Sequence, residues 1–279
     1  MSGESERPLV AGVVGWPIMH SKSPRLFDYW FAAQAVPGRY VPLAVRPEDF
    51  AEVLRSLPKA GFRGVNVTVP HKERAFALAD ERSAVAEAIG AANTLIFGED
   101  GRITADNTDA YGFIENLRAG AGSWDASAGP AVVLGAGGAA LAVVHAVLEA
   151  GVPSLTVTNR SEERARAIAD RFGERVSVRP WSERAAALAG AGLLVNTTVL
   201  GMHGKPALDL PLDALPTSAL VNDIVYAPLE TDLLARARAR GNPVVDGLGM
   251  LLHQARPGFR AWFGTDPVVD DGLRRAVLA

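Results

Sequence analysis

The stretch AVVLGAGGAALAVVHAVL, Ala131 to Leu148, constrains this chain more than any other. It is uncharged over nearly the length of a minimal membrane-spanning helix. Its glycines argue otherwise: Gly135, Gly137 and Gly138 divide it into a short β-branched run and a helix, Ala139 to Leu148, too short to cross a bilayer. What remains is strand, turn, helix, an arrangement in which backbone N–H groups at a helix N-terminus can approach a pyrophosphate. Ala140 replaces the third glycine of the dinucleotide fingerprint, a variant that the fingerprint tolerates. A glycine-rich turn alone is often only a turn, but here a second strand, SLTVTN, follows the helix in the expected order.

The end of that second strand bears on which dinucleotide binds. An NAD site usually places an acid there to hold the ribose 2′-OH, whereas this strand ends in Asn159-Arg160, with Arg164 one helical turn further on. Guanidinium groups grip a 2′-phosphate that an acid would repel, so NADP is favoured over NAD. The alternative is that both arginines are ordinary surface residues, in a chain with 24 Arg against four Lys.

Composition narrows the function classes. At about 150 residues per domain, 279 residues suggest two domains, and 48% apolar content supplies their cores. A net charge of -3 with 21% charged residues lacks the basic excess of a nucleic-acid binder, which points to small-molecule partners. The absence of Cys excludes disulfides, thiolate nucleophiles and Cys-ligated metals, fits a reducing cytoplasm, and means that any redox chemistry is borrowed from a cofactor. No His spacing resembles a metal site. The N-terminus, MSGESERPLV, does not read as a signal peptide.

Alternation of strand-like and helix-like runs fills the chain up to Gly112 and again from Ala131 to Asp246, so the fold class is α/β with two domains. In the first, Pro24 and Pro47 suit first helical turns, Lys72–Asp80 and Glu81–Ile89 read as helices, and Asp100-Gly101 marks a hairpin in TLIFGEDGRIT. After a helix at Tyr111–Arg118, residues 119–130 read as a connector. The second unit repeats the β-α rhythm of a doubly wound parallel sheet, Rossmann-like in pattern. From Gly247 the chain reads as amphipathic helix, with Leu251, Leu252, Ala255, Phe259 and Trp262 near helical spacing.

Three polar clusters stand in the first unit: GWPIMHSKSP, NVTVPHK, and GAANT with the later DNTDAYG. Two follow strand patterns, and strand C-terminal ends are where open α/β sheets place ligands, so Ser21, Ser23, Asn66, Thr68 and Lys72 could share one crevice. A composition that otherwise chooses Arg keeps Lys72 there, which suggests a role that guanidinium cannot fill, such as proton transfer. Polar capping of strand ends is the alternative. His20 and His71 read as structural, and Trp16, Trp30, Trp181 and Trp262 as packing residues.

The ordered set HSKSP, NVTVPHK, GAANT, NTDAYG, GAGGAA, NRS, NTT followed by GM, DIVYAP and GLGMLLHQA resembles the shikimate dehydrogenase family across nearly the whole chain. Ser161 and Val199 stand where the family often has Thr and Pro. The resemblance implies a substrate domain over 1–112 completed by helices of 247–279, and a Rossmann-like NADP-binding domain over 113–246. It implies reversible reduction of 3-dehydroshikimate to shikimate in aromatic amino-acid biosynthesis.

Residue by residue, it implies that Ser21 and Ser23 bind the substrate carboxylate, and that Asn66, Thr68, Asn93, Tyr226 and Gln254 surround the ring. Lys72 and Asp109 are the implied catalytic pair. Gly135, Ala136, Gly137, Gly138, Ala139 and Ala140 would cradle the pyrophosphate, while Asn159, Arg160 and Arg164 would hold the 2′-phosphate. Thr197, Thr198, Met202, Val225, Gly247 and Met250 would line the ribose and nicotinamide. An ammonium at Lys72 suits donation to the developing alkoxide, and a carboxylate beside it would stabilise and orient that ammonium. The relatives acting on quinate share most of these motifs, so a broader quinate/shikimate activity is the nearest alternative, and a catalytically silent NADP-binding sensor the next. A monomer or a homodimer is expected.

Overall fold

The structure is a computed structural model describing residues 9–279; the reading of the N-terminus as no signal peptide lies, for Met1 to Pro8, outside those residues. The chain forms two compact units, one comprising the segment up to Thr108 with Leu252–Ala279, the other Asp109–Leu251. Residues 119–130 lie inside the second unit. Helices α1 (Ser23–Ala33), α2 (Phe50–Ser56), α3 (Lys72–Leu78) and α4 (Ala84–Ile89) belong to the first. Helices α5 (Asp109–Gly120), α6 (Gly138–Glu149), α7 (Glu162–Phe172) and α8 (Asp232–Ala239) belong to the second. Helix α9 (Leu248–Phe263) runs across the second boundary, and α10 (Asp271–Leu278) closes the chain.

In the first unit, β1 (Val10–Gly15), β2 (Arg39–Ala44), β3 (Gly64–Val67), β4 (Glu81–Arg82), β5 (Thr94–Phe97) and β6 (Ile103–Asp106) make one mixed sheet ordered β2-β1-β3-β5-β6-β4. β1 pairs in parallel with β2 and β3, and the hairpin read from TLIFGEDGRIT is the antiparallel pair β5–β6. Aromatic side chains supply one part of the core: Phe27 of α1 stacks on Tyr40 of β2 with centroids 3.7 Å apart, and Phe259 and Trp262 of α9 pack on the same Phe27 ring. The Trp262 indole donates to the Leu95 carbonyl at 3.1 Å. A Cβ on Gly64 would collide with that indole nitrogen and that carbonyl, so only glycine lets β3 pass here. A second hydrophobic cluster, of Val14, Val65, Val67, Leu95 and Phe97, packs with Phe50 and Leu54 of α2.

In the second unit, β7 (Ala131–Leu134), β8 (Leu155–Asn159), β9 (Val176–Pro180), β10 (Leu193–Asn196), β11 (Leu220–Asp223) and β12 (Val244–Val245) are all parallel, in the order β12-β11-β10-β7-β8-β9. Every residue of β7, β10 and β11 is buried, as expected of strands covered on both faces. The chain winds outward from β7 through β8 and β9, then restarts on the other side at β10. The topological switch point therefore lies between β7 and β10.

Several local expectations are corrected. Glu81-Arg82 is a strand paired in parallel with β6, not a helix, and the Ser83 hydroxyl starts α4 afresh by accepting from Ala86 N–H. Pro47 lies ahead of α2, which begins at Phe50. Helix α8 begins at Asp232, where the Thr231 hydroxyl caps it by accepting from Leu234 N–H. Trp30 and Trp262 are core residues, but Trp16 is 42% exposed, with the Arg46 guanidinium over its ring. Among the described residues no helix is long and apolar enough to cross a membrane, and no group of His, Asp and Glu could hold a metal ion.

Candidate active site

In the first unit the polar motifs gather where β1 and β3 end. Asn66 of β3 and Thr94 of β5 are directly opposed in register, and their side chains start a buried hydrogen-bond network. Tyr40 donates its hydroxyl to Asn66 Oδ1 at 2.7 Å; burial pushes this phenol well above its ordinary pKa, so it stays a donor. Asn66 Nδ2 then donates to Thr94 Oγ1 and to the Asn93 carbonyl. Asn93 Oδ1 accepts from the Thr108 backbone N–H at 2.7 Å, and its Nδ2 donates to Thr108 Oγ1 and to Gln254 Oε1 of α9. Side chains far apart in sequence are thereby held in one orientation, in surroundings where leaving any of them unpaired would cost about 1–3 kcal/mol.

Lys72 opens α3, shortly after the end of β3. Three contacts lock that turn: His71 N–H donates to the Thr68 carbonyl, Ala92 N–H donates to the Lys72 carbonyl, and the His71 ring, stacked on Phe50, bonds the Val45 carbonyl at 2.8 Å. Burial lowers the His71 pKa, so this ring is a neutral structural element. Ser23 is buried at the start of α1, its N–H donating to Ser21 Oγ at 3.3 Å; Thr68 is half-buried.

In the second unit the glycine turn follows β7. Gly135 has φ +109°, and a Cβ there would approach Thr197 Oγ1 to 2.6 Å, so both backbone and space require glycine. A Cβ on Gly137, the residue capping α6, would meet nothing within 4 Å. With no acid in the first turn of α6 and no side chain capping it, these N–H groups and the open space suit a phosphate. Ala136 and Ala139 are small enough to leave that approach open, and Ala140 packs into the interior. At the end of β8 the Asn159 side chain donates to the Ser161 carbonyl, while Arg160 and Arg164 are exposed. Thr197 donates to the Leu134 carbonyl at 2.7 Å, which joins the loop after β10 to the strand carrying the glycine turn. Thr198 and Met202 are half-buried on that loop. Val225, Gly247 and Met250 are buried; a Cβ on Gly247 would strike the Ile224 carbonyl. Tyr226 is half-buried, which raises its pKa, and Asp109 is a buried first residue of α5.

Sequence reasoning passed over the residues that orient these groups: Tyr40, Thr94, Thr108, Asn196 and Asp223. Thr94, Thr108, Asn196 and Asp223 stand inside the motifs GAANT, NTDAYG, NTT and DIVYAP, and Asp223 is in addition a charge ending an apolar strand. That contrast was the available signal. Burial pushes the Asp223 carboxyl up to about 6, outweighing hydrogen bonds from Thr231, Val225 and Asn196 that favour the anion. Between its unfolded value near 3.8 and about 6, the folded protein holds a proton that the unfolded chain has released. Asp223 therefore removes about 3 kcal/mol of stability as pH rises through that window, and nothing further above it. Melting temperatures of the protein and of Asp223→Asn, compared from pH 4 to 7, should move in the variant's favour up to pH 6 and then run parallel. A constant difference throughout would place the titration elsewhere.

An all-parallel sheet with a phosphate-receptive glycine turn at its switch point, on one chain with a mixed-sheet unit that orders buried amides and hydroxyls around a lysine-bearing strand end, defines a two-domain α/β oxidoreductase of the dinucleotide-binding kind. Residues 13–95 match the family model described as shikimate dehydrogenase substrate binding domain, and residues 121–201 match shikimate / quinate 5-dehydrogenase. A shikimate dehydrogenase (NADP(+)) of Paramagnetospirillum magneticum is 57% identical over all of both chains. The crystal structure of shikimate 5-dehydrogenase from Thermus thermophilus, in complex with NADP(H) and shikimate, superposes with a TM-score of 0.85 at 39% identity, covering 96% of this chain and 98% of that one. Quinate dehydrogenase from Corynebacterium glutamicum, in complex with NAD, gives 0.90 at 31% identity, covering 97% and 99%. The chain belongs to the shikimate dehydrogenase family.

Proposed function

We propose that this protein catalyses the NADP-dependent, reversible reduction of 3-dehydroshikimate to shikimate, a step of aromatic biosynthesis. Full-length identity of 57% to an NADP-dependent shikimate dehydrogenase carries this reading, and the open approach to the α6 N-terminus at Gly137 agrees with it. NADPH supplies the hydride when bound; the chain supplies binding, orientation and one proton. Lys72, which opens α3 just after β3, would donate that proton to the developing alkoxide, and Asp109 would hold the ammonium in position. Ser21 and Ser23, on the turn into α1, would take the carboxylate. Asn66, Thr68, Asn93, Gln254 and Tyr226 would take the ring hydroxyls, and a site built of such groups rejects analogues that leave them unpaired. On this reading the first unit is the substrate domain and the second the NADP domain.

NADP in preference to NAD rests on Asn159, Arg160 and Arg164. The expected outcome for Arg160→Ala is a KM for NADP raised roughly tenfold or more with KM for NAD nearly unchanged, since only the 2′-phosphate is lost as a partner. Equal weakening of both would place the 2′-phosphate elsewhere. The likeness to an NAD-bound quinate dehydrogenase makes broader specificity the second reading. Absorbance at 340 nm, with shikimate and quinate each tested against NADP and NAD, separates the readings. Turnover with shikimate and NADP alone supports the first, quinate or NAD turnover the second, and silence on all four pairs overturns both. The Cys-free composition favours a cytoplasmic location, and a monomer or homodimer is expected, which sedimentation would read directly.

A further inference from the structure

Asp223 is a buried carboxylate that the proposed mechanism does not use; its hydrogen bonds tie both ends of the segment that follows β11 and join that segment to the loop after β10. Its Oδ1 accepts from Asn196 Nδ2 and from the Val225 backbone N–H, both at 3.0 Å, and its Oδ2 accepts from Thr231 Oγ1 at 2.7 Å. Asn196 in turn accepts from the Thr198 N–H and hydroxyl and donates to the Leu200 carbonyl, which shapes the loop after β10. Thr231 caps α8, so the segment 224–230, carrying Val225 and Tyr226, is tied down at both ends. A further bond, His203 N–H to the Ala227 carbonyl, joins the two loops directly. The first of these loops abuts the glycine turn through Thr197 and Gly135.

Burying a carboxylate with no Lys, Arg or His bonded to it is costly, and simple packing would be served better by an apolar side chain. What a carboxylate offers is acceptor capacity on both oxygens, where an amide offers one acceptor and two donors. Three donors converge on Asp223, and only the acid receives them all.

We propose that Asp223 is a positioning residue for the cofactor: it sets the loops 197–202 and 224–228 in the arrangement that receives the nicotinamide half of NADP. The proposal rests on the functional reading above, which assigns Thr197, Thr198, Met202 and Val225 to that wall. Asp223 touches neither cofactor nor substrate, and acts through Asn196, Val225 and Thr231.

The test compares Asp223→Asn and Thr231→Val with the unaltered protein, using steady-state kinetics for NADP and shikimate and calorimetry for each ligand alone. Asp223→Asn is expected to raise KM and Kd for NADP about tenfold and to lower kcat, with the Kd for shikimate alone raised by no more than about threefold, through Tyr226 on the same segment. Thr231→Val, which keeps the acid and removes one donor, should shift NADP binding in the same direction by less. A merely structural role would lower the melting temperature without separating NADP from shikimate. Should Asp223→Asn fail to fold, Thr231→Val with unchanged NADP affinity overturns the proposal. Unchanged affinity in a folded Asp223→Asn also overturns it, as does equal loss of both ligands. If the unaltered protein shows no turnover yet binds NADP, and Asp223→Asn weakens that binding, the catalytic reading fails while the positioning role stands.

Discussion

Lys72→Ala is expected to lower kcat by on the order of 10³ while leaving the affinity for shikimate within about tenfold. The asymmetry follows from where Lys72 stands. It opens α3, and its backbone carbonyl, His71 and Thr68 make the contacts that hold that turn. Truncation removes the ammonium and leaves these backbone and His71 contacts in place. The carboxylate and ring contacts assigned to Ser21, Ser23, Asn66 and Asn93 survive, and what is lost is stabilisation of charge that appears only as the alkoxide forms. Single-turnover NADPH formation, with calorimetric binding of shikimate, separates the two quantities. Undiminished turnover would remove Lys72 from the chemistry, and parallel loss of binding and turnover would make it a binding residue.

Trp262→Ala is the change expected to cost most stability, about 3–5 kcal/mol, with a melting temperature lower by on the order of 10 °C. The indole is buried against Phe27, its nitrogen bonds the Leu95 carbonyl, and Gly64 lacks a Cβ because the ring lies against it. No neighbour can fill that space without moving β3, the strand that carries Asn66 and leads to Lys72. Urea unfolding monitored by tryptophan fluorescence measures the loss. A cost below about 1 kcal/mol would mean that the sheet and α9 collapse onto the gap, contrary to the packing seen at Gly64.

How far the site was legible differs residue by residue. Gly135 was legible because a positive φ and a close approach leave a compositional mark between an apolar strand and a helix. Lys72 was legible because lysine is rare in a chain that otherwise chooses arginine. Tyr40 was not: it reads as one aromatic in a strand, and only the fold sets its hydroxyl against Asn66. Glu81 reads as helical because helix-favouring residues follow it closely, while pairing with β6 makes it a strand.

The sequence by itself determined the α/β rhythm, the glycine turn between strand and helix, and the polar strand ends, because these depend on neighbours within a few residues: periodicity, backbone permissiveness and local polarity. Only the tertiary structure decided the strand orders, the joining of Asn66, Asn93, Thr108 and Gln254 into one network, and the burial of Asp223 among donors from three segments. A hydrogen bond such as Asn93 to Gln254, 161 positions apart, forms only once packing has excluded water, and in one dimension nothing marks which distant donor an acceptor will meet.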